Sequence, residues 1–88
     1  MKLILTIIND SDSEPVSQAL IASGFRVTRV ASTGGFLHRG SSTLMIGVED
    51  EKVDQAIEKV RENLSSPAEP GAMRATLFVI GVENFTQI

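Results

Sequence analysis

Residues 2–8 form an almost unbroken aliphatic run, Lys2-Leu3-Ile4-Leu5-Thr6-Ile7-Ile8, and the pair Asn9-Asp10 that follows is a break. A short apolar run of this kind, rich in β-branched residues and bounded by turn formers, predicts a first strand. The rhythm then changes. Ser11-Asp12-Ser13-Glu14 has capping-box spacing and Pro15 suits a first helical turn. Val16, Ala19 and Leu20 share one helical face and Gly24 is a stop, so a helix is expected over about residues 12–23. Residues 25–31 alternate, with Phe25 and Val27 on one side and Arg26 and Thr28 on the other, which predicts a second strand. Three glycines interrupt the next stretch, and a third strand resumes over 42–48. Asp50 is a good N-cap, and Val53, Ile57, Val60 and Leu64 recur at helical spacing, giving a second helix that ends near Leu64. After the breaker-rich Ser65-Ser66-Pro67-Ala68-Glu69-Pro70-Gly71, residues 73–82 read as a fourth strand, and 83–88 as a short edge strand or coil.

The order βαββαβ, with each helix crossing between strands, is that of an α+β ferredoxin-like sandwich with both helices on one face of the sheet. The second face of such a two-layer domain is ordinarily polar. Here Leu3, Leu5 and Ile7 oppose Ile4 and Ile8, and Phe78 and Ile80 oppose Leu77 and Val79, so both faces are apolar. Something must cover the second face, and the expected cover is another copy of the chain.

Length supports that expectation. A chain of 88 residues holds a single domain, 1–88, and buries only about 60 to 65% of its unfolded surface. Eleven acids against eight Lys and Arg give a net charge of −3, which argues against binding nucleic-acid polymers or anionic membranes. The absence of cysteine removes disulfides and thiolate chemistry and is compatible with a cytoplasmic protein. The opening aliphatic run is too short for a signal-peptide core or a membrane span.

Charge is unevenly distributed. No acid occurs between Glu14 and Glu49, a stretch that contains Arg26, Arg29, His38 and Arg39. An anion site and a solvated basic patch both fit. Gly34-Gly35 permits close approach of backbone to a ligand, and Phe36 offers a flat face for a base. The same residues also suit a hairpin connection followed by a core anchor. His38 is the only histidine, with no acid within ten residues, so neither a metal site nor a nucleophilic relay is expected. Asp10 and Asp12 could hold a hard cation, but favour the start of the helix more simply. The acidic row Glu51, Asp54, Glu58 and Glu62, interrupted by Lys52, Lys59 and Arg61, is explained by a solvated helix face.

Taken together, Phe25-Arg26-Val27-Thr28, Ala31-Ser32-Thr33-Gly34-Gly35-Phe36-Leu37, Gly40, Thr43 and Gly47-Val48 resemble the PII-like cyclic-di-AMP receptor family. The resemblance extends to the opening strand, Asp10, Asp12-Ser13, Phe78-Val79 and Phe85-Thr86-Gln87. It implies a homotrimer of ferredoxin-like subunits that binds cyclic di-AMP in the clefts between subunits, catalyses no reaction, needs no cofactor and signals to a downstream protein of unknown identity. It places Arg26 and Thr28 on the ligand, Gly35, Phe36 and Leu37 around a base, the backbone of Thr33 and Gly34 near phosphate, and Gly47 and Gln87 in the pocket. Two departures stand out. Ser41 occupies a ligand position where the family commonly has asparagine, and residues 65–72 are only eight where relatives usually carry a long segment. The alternative is a PII-like interaction module that binds another nucleotide or no ligand. Small phosphatases of similar topology attack acyl phosphates with an arginine-bearing loop and an asparagine, but that loop pattern is absent here.

Overall fold

The computed structural model describes residues 1–30, 40–65, 74–84, 86 and 88. Its elements are β1 (Lys2–Asn9), α1 (Asp10–Ala22), β2 (Arg26–Val30), β3 (Ser41–Val48), a 3-10 turn (Asp50–Lys52), α2 (Val53–Glu62) and β4 (Ala75–Gly81). The four strands form one antiparallel sheet in the order β2-β3-β1-β4. Each helix therefore returns the chain across one intervening strand, as the βαββαβ reading requires.

One face of the sheet meets the helices. Ile4, Ile8, Leu44, Ile46 and Val48 from the central strands pack with Val16 and Leu20 of α1 and Ala56 and Val60 of α2 in one buried cluster. Fully burying each of the larger aliphatic side chains stabilises the fold by about 1.5–3 kcal/mol. Gly24 ends α1 at φ +89°, a conformation that favours glycine. Its N–H donates to the Ile21 carbonyl and that of Phe25 to the Leu20 carbonyl, both at 3.0 Å, and Phe25 and Leu20 are both buried. This paired return with its apolar contact is a Schellman motif.

Helix starts depart from the local reading. α1 begins at Asp10 rather than Asp12, its N-cap Asn9 makes no side-chain capping bond, and Pro15 lies inside the helix rather than in its first turn. The capping box at Ser11 to Glu14 is therefore not the start signal. Asp50 likewise does not cap α2: a 3-10 turn precedes the helix, and the Asp50 carboxylate instead takes the Met1 ammonium at 2.9 Å. In both places a partner distant in sequence competes with the local cap.

Among the described residues no helix packs on the other face of the sheet. Direct pairing across the strands sets Ile80, Leu3, Gly47 and Arg26 in one row, and Phe78, Leu5, Met45 and Thr28 in the next. Thr76, Ile7, Thr43 and Val30 form a third row. Phe78 is 52% and Ile80 43% exposed, which is high for large apolar side chains on a sheet.

Candidate functional site

At the Arg26 end of this uncovered face lies a cavity of about 370 Å³. Arg26 and Thr28 reach it because β2 alternates: Phe25 and Val27 turn to the core, leaving Arg26 and Thr28 exposed on the opposite side. Met45 and Gly47 supply the neighbouring strand, Met1, Lys2 and Leu3 the start of β1, and Val82 the residue just after β4. The Val82 N–H donates to the Met1 carbonyl at 3.0 Å and closes that side. Gly47 leaves room where a Cβ would come within 3.2 Å of the Met1 side-chain tip. Apolar walls from Met1, Leu3, Met45 and Val82, the Arg26 guanidinium and the Thr28 hydroxyl suit a ligand that joins a flat apolar group to an anion.

Of the residues expected to touch ligand, Arg26, Thr28 and Gly47 are thus brought together. Ser41 is not with them in the chain. It stands at the far end of β3, opposite Asn9, six residues from Gly47 and so about 20 Å away along the strand. Thr33, Gly34, Gly35, Phe36, Leu37 and Gln87 lie outside the described residues, as do His38 and Arg39. Arg29 departs from the expected basic patch. It pairs across β2–β3 with the core residue Leu44 and so sits on the helix side, with its guanidinium 3.6 Å from Glu14.

Asp10 and Asp12 lie in the first turn of α1, where carboxylates favour the helix dipole. Their side chains are engaged elsewhere. Asp10 accepts a hydrogen bond from the Ser42 hydroxyl, and Asp12, only 3% exposed, accepts from the Ser65 N–H at 3.2 Å and the Ser65 hydroxyl at 3.1 Å. Among the described residues no group of three His, Asp or Glu side chains could hold a metal ion. The Asp50 carboxyl is held below its ordinary value by the hydrogen bond and charge of the Met1 ammonium.

Sequence reasoning did not anticipate Met1, Lys2, Leu3, Met45 or Val82 as cavity residues. Leu3 and Met45 could have been found from strand parity, since each lies in a row with Gly47 or Thr28. A second groove of about 240 Å³ runs between α2 and β4, floored by Ile57, Val60, Leu64 and Leu77 and flanked by Arg61 and Arg74. None of the expected site residues enters it.

The chain resembles a crystal structure of a functionally unknown protein from Pediococcus pentosaceus, with 30% identity over 99% of this chain and 96% of that one and a TM-score of 0.78. Residues 1–70 match the cyclic-di-AMP receptor family. The matched span holds β1 through α2 and every expected ligand residue except Gln87. The chain belongs to the cyclic-di-AMP receptor family.

Proposed function

We propose that this protein is a non-enzymatic receptor that binds cyclic di-AMP on the uncovered face of its sheet, at the boundary between subunits of a homotrimer. The observation that carries the reading is the convergence of Arg26, Thr28 and Gly47 on one cavity in that face. The guanidinium supplies charge-assisted donors for phosphate oxygens, Thr28 a hydroxyl partner, and the apolar walls a surface for adenine. The apolar rows of Leu3, Leu5, Ile7, Met45, Phe78 and Ile80 support burial against further copies. The distance from Gly47 to Ser41 supports the same arrangement. For Ser41 to join Arg26 on one ligand, it must come from a neighbouring subunit. Thr33, Gly34, Gly35, Phe36 and Leu37 complete the pocket, with Gln87 from the closing segment. Binding at such a boundary passes to a downstream protein as a change in the assembled surface.

A ligand at about one hundred times its dissociation constant stabilises the folded state by roughly 2.7 kcal/mol, so saturating cyclic di-AMP raises the melting temperature. An unchanged melting temperature would count against the reading. The shortened segment at 65–72 and Ser41 favour a second reading, a PII-like module with another nucleotide or none, for which ATP, ADP and other cyclic dinucleotides are the comparison panel.

A further inference from the structure

The sheet face away from the helices has a second polar end. The alternation that sets Thr76, Ile7 and Thr43 in one row of that face sets Asn9 and Ser41, two residues further along, in the next. The β1–β4 ladder ends at Ile8 and Ala75, so the half-buried Arg74 continues the same alternation beside Asn9. Ile7, Asn9, Ser41, Arg74 and Thr76 line a hollow of about 120 Å³ there, and among the described residues no acid lines it. Among the described residues no hydrogen bond or ion pair holds the side chains of Asn9, Ser41, Arg74 or Thr76, whereas Arg29 meets Glu14 and Arg61 meets Glu58. The face therefore has an arginine at each end, Arg26 in the row of Gly47 and Arg74 in the row of Ser41, about 20 Å apart along the strands. Between them run the apolar rows that contain Leu5 and Ile7.

We propose that Arg74 is a second anion-binding residue of the nucleotide site, supplied to the Arg26 cavity by the adjacent subunit. The inference rests on the reading of this face as a boundary between copies that takes cyclic di-AMP. A closed ring is built from head-to-tail contacts, so opposite ends of the face can meet across each boundary. The Arg74 hollow of one copy then faces the Arg26 cavity of the next. A guanidinium enclosed there without a counter-charge is costly, and an anion between the two arginines offsets that cost. Cyclic di-AMP carries two phosphates, which gives each guanidinium one to hold. Asn9, Ser41 and Thr76 add hydrogen-bonding groups around the second phosphate.

The test measures cyclic di-AMP affinity and assembly mass for the parent, for Arg74→Ala, and for trimers co-assembled from Arg26→Ala and Arg74→Ala subunits. Arg74→Ala is expected to remain trimeric and to bind roughly 10- to 100-fold more weakly, as loss of one charge-assisted contact requires. In a mixed trimer, one boundary joins an intact Arg26 to an intact Arg74 of the neighbouring copy. Co-assembly should therefore restore about one site of parent-like affinity per mixed trimer. Two arginines that acted within one chain would leave every site in the mixture deficient. Parent-like affinity in Arg74→Ala, or mixed trimers that bind no better than either variant alone, overturns the proposal. Loss of the trimer in Arg74→Ala also overturns it, because the weaker binding would then come from assembly. A parent that takes up no cyclic di-AMP overturns the receptor reading as well, whereas a parent that binds no better than Arg74→Ala overturns the role of Arg74 alone.

Discussion

Arg26 and Gly47 stand directly opposite each other across the β2–β3 ladder, on the side of the sheet away from α1 and α2. One supplies a cation and the other withholds a side chain, and together they make the floor of the 370 Å³ cavity. Filling the floor should therefore be as damaging as removing the charge. Gly47 has an ordinary strand backbone, and the nearest obstacle to a Cβ is the flexible tip of Met1 at 3.2 Å, so Gly47→Leu should fold. Loss of a charge-assisted hydrogen bond, about 1.5–3 kcal/mol, predicts roughly 10- to 100-fold weaker cyclic di-AMP binding for Arg26→Ala. Gly47→Leu should lose at least as much. Isothermal titration of folded variants checks both, and parent-like affinity in either would remove that residue from the site.

Phe78 pairs with Leu5 at the centre of the uncovered face and is half exposed in the single chain. Replacing it with Glu costs a lone subunit little, because the new charge remains in water. In an assembly that covers the face, the same charge would be buried unpaired. Phe78→Glu should sediment as a single subunit at micromolar concentration, whereas the parent sediments as a trimer. A monomeric parent would contradict burial of this face by copies.

Thr6 is fully buried on the helix side of β1, and its hydroxyl has no hydrogen-bond partner among the described residues. Valine keeps the shape and removes the unsatisfied group. Thr6→Val is expected to raise unfolding stability by about 1 kcal/mol, measured by urea denaturation with an unchanged slope. A clear loss of stability would mean that the hydroxyl is hydrogen-bonded in solution.

The Met1–Asp50 pair gives a pH dependence of known sign. The folded-state carboxyl of Asp50 lies below its ordinary value of 3.8 because the ammonium stabilises its charged form. The contribution is present above the unfolded value and is lost as pH falls through the depressed folded value. Both partners are solvated, so the effect is small. Acid titrations of parent and Asp50→Asn should differ most near neutral pH and converge as pH falls through the depressed folded value. A difference that grows on acidification would reverse the assignment.

The period of two was enough to separate Ile4 and Ile8 from Leu3, Leu5 and Ile7, and to turn Arg26 and Thr28 away from Phe25 and Val27. Those alternations carried the sheet, its second apolar face and two cavity residues, Arg26 and Thr28, while Gly47 came from the family resemblance. Local rules failed where a distant group took the side chain. Asp10 answers to Gly40 and Ser42, Asp12 to Ser65, Arg29 to Glu14 and Asp50 to Met1. Capping and charge patterns cannot register partners that only folding brings near. Val82 was hidden for the same reason, since its place beside Met1 depends on the β1–β4 register. The separation of Ser41 from Gly47 follows from strand length alone, but family likeness placed both on the same ligand without specifying how many subunits contribute.

Titration of cyclic di-AMP into the parent chain, with the assembly mass measured in the same buffer, tests the receptor reading most directly. The expected result is saturable binding of one nucleotide per chain to a trimer, with binding roughly 10- to 100-fold weaker in Arg26→Ala while the trimer remains. Absence of binding by a folded trimeric parent, or undiminished binding by Arg26→Ala, would contradict it.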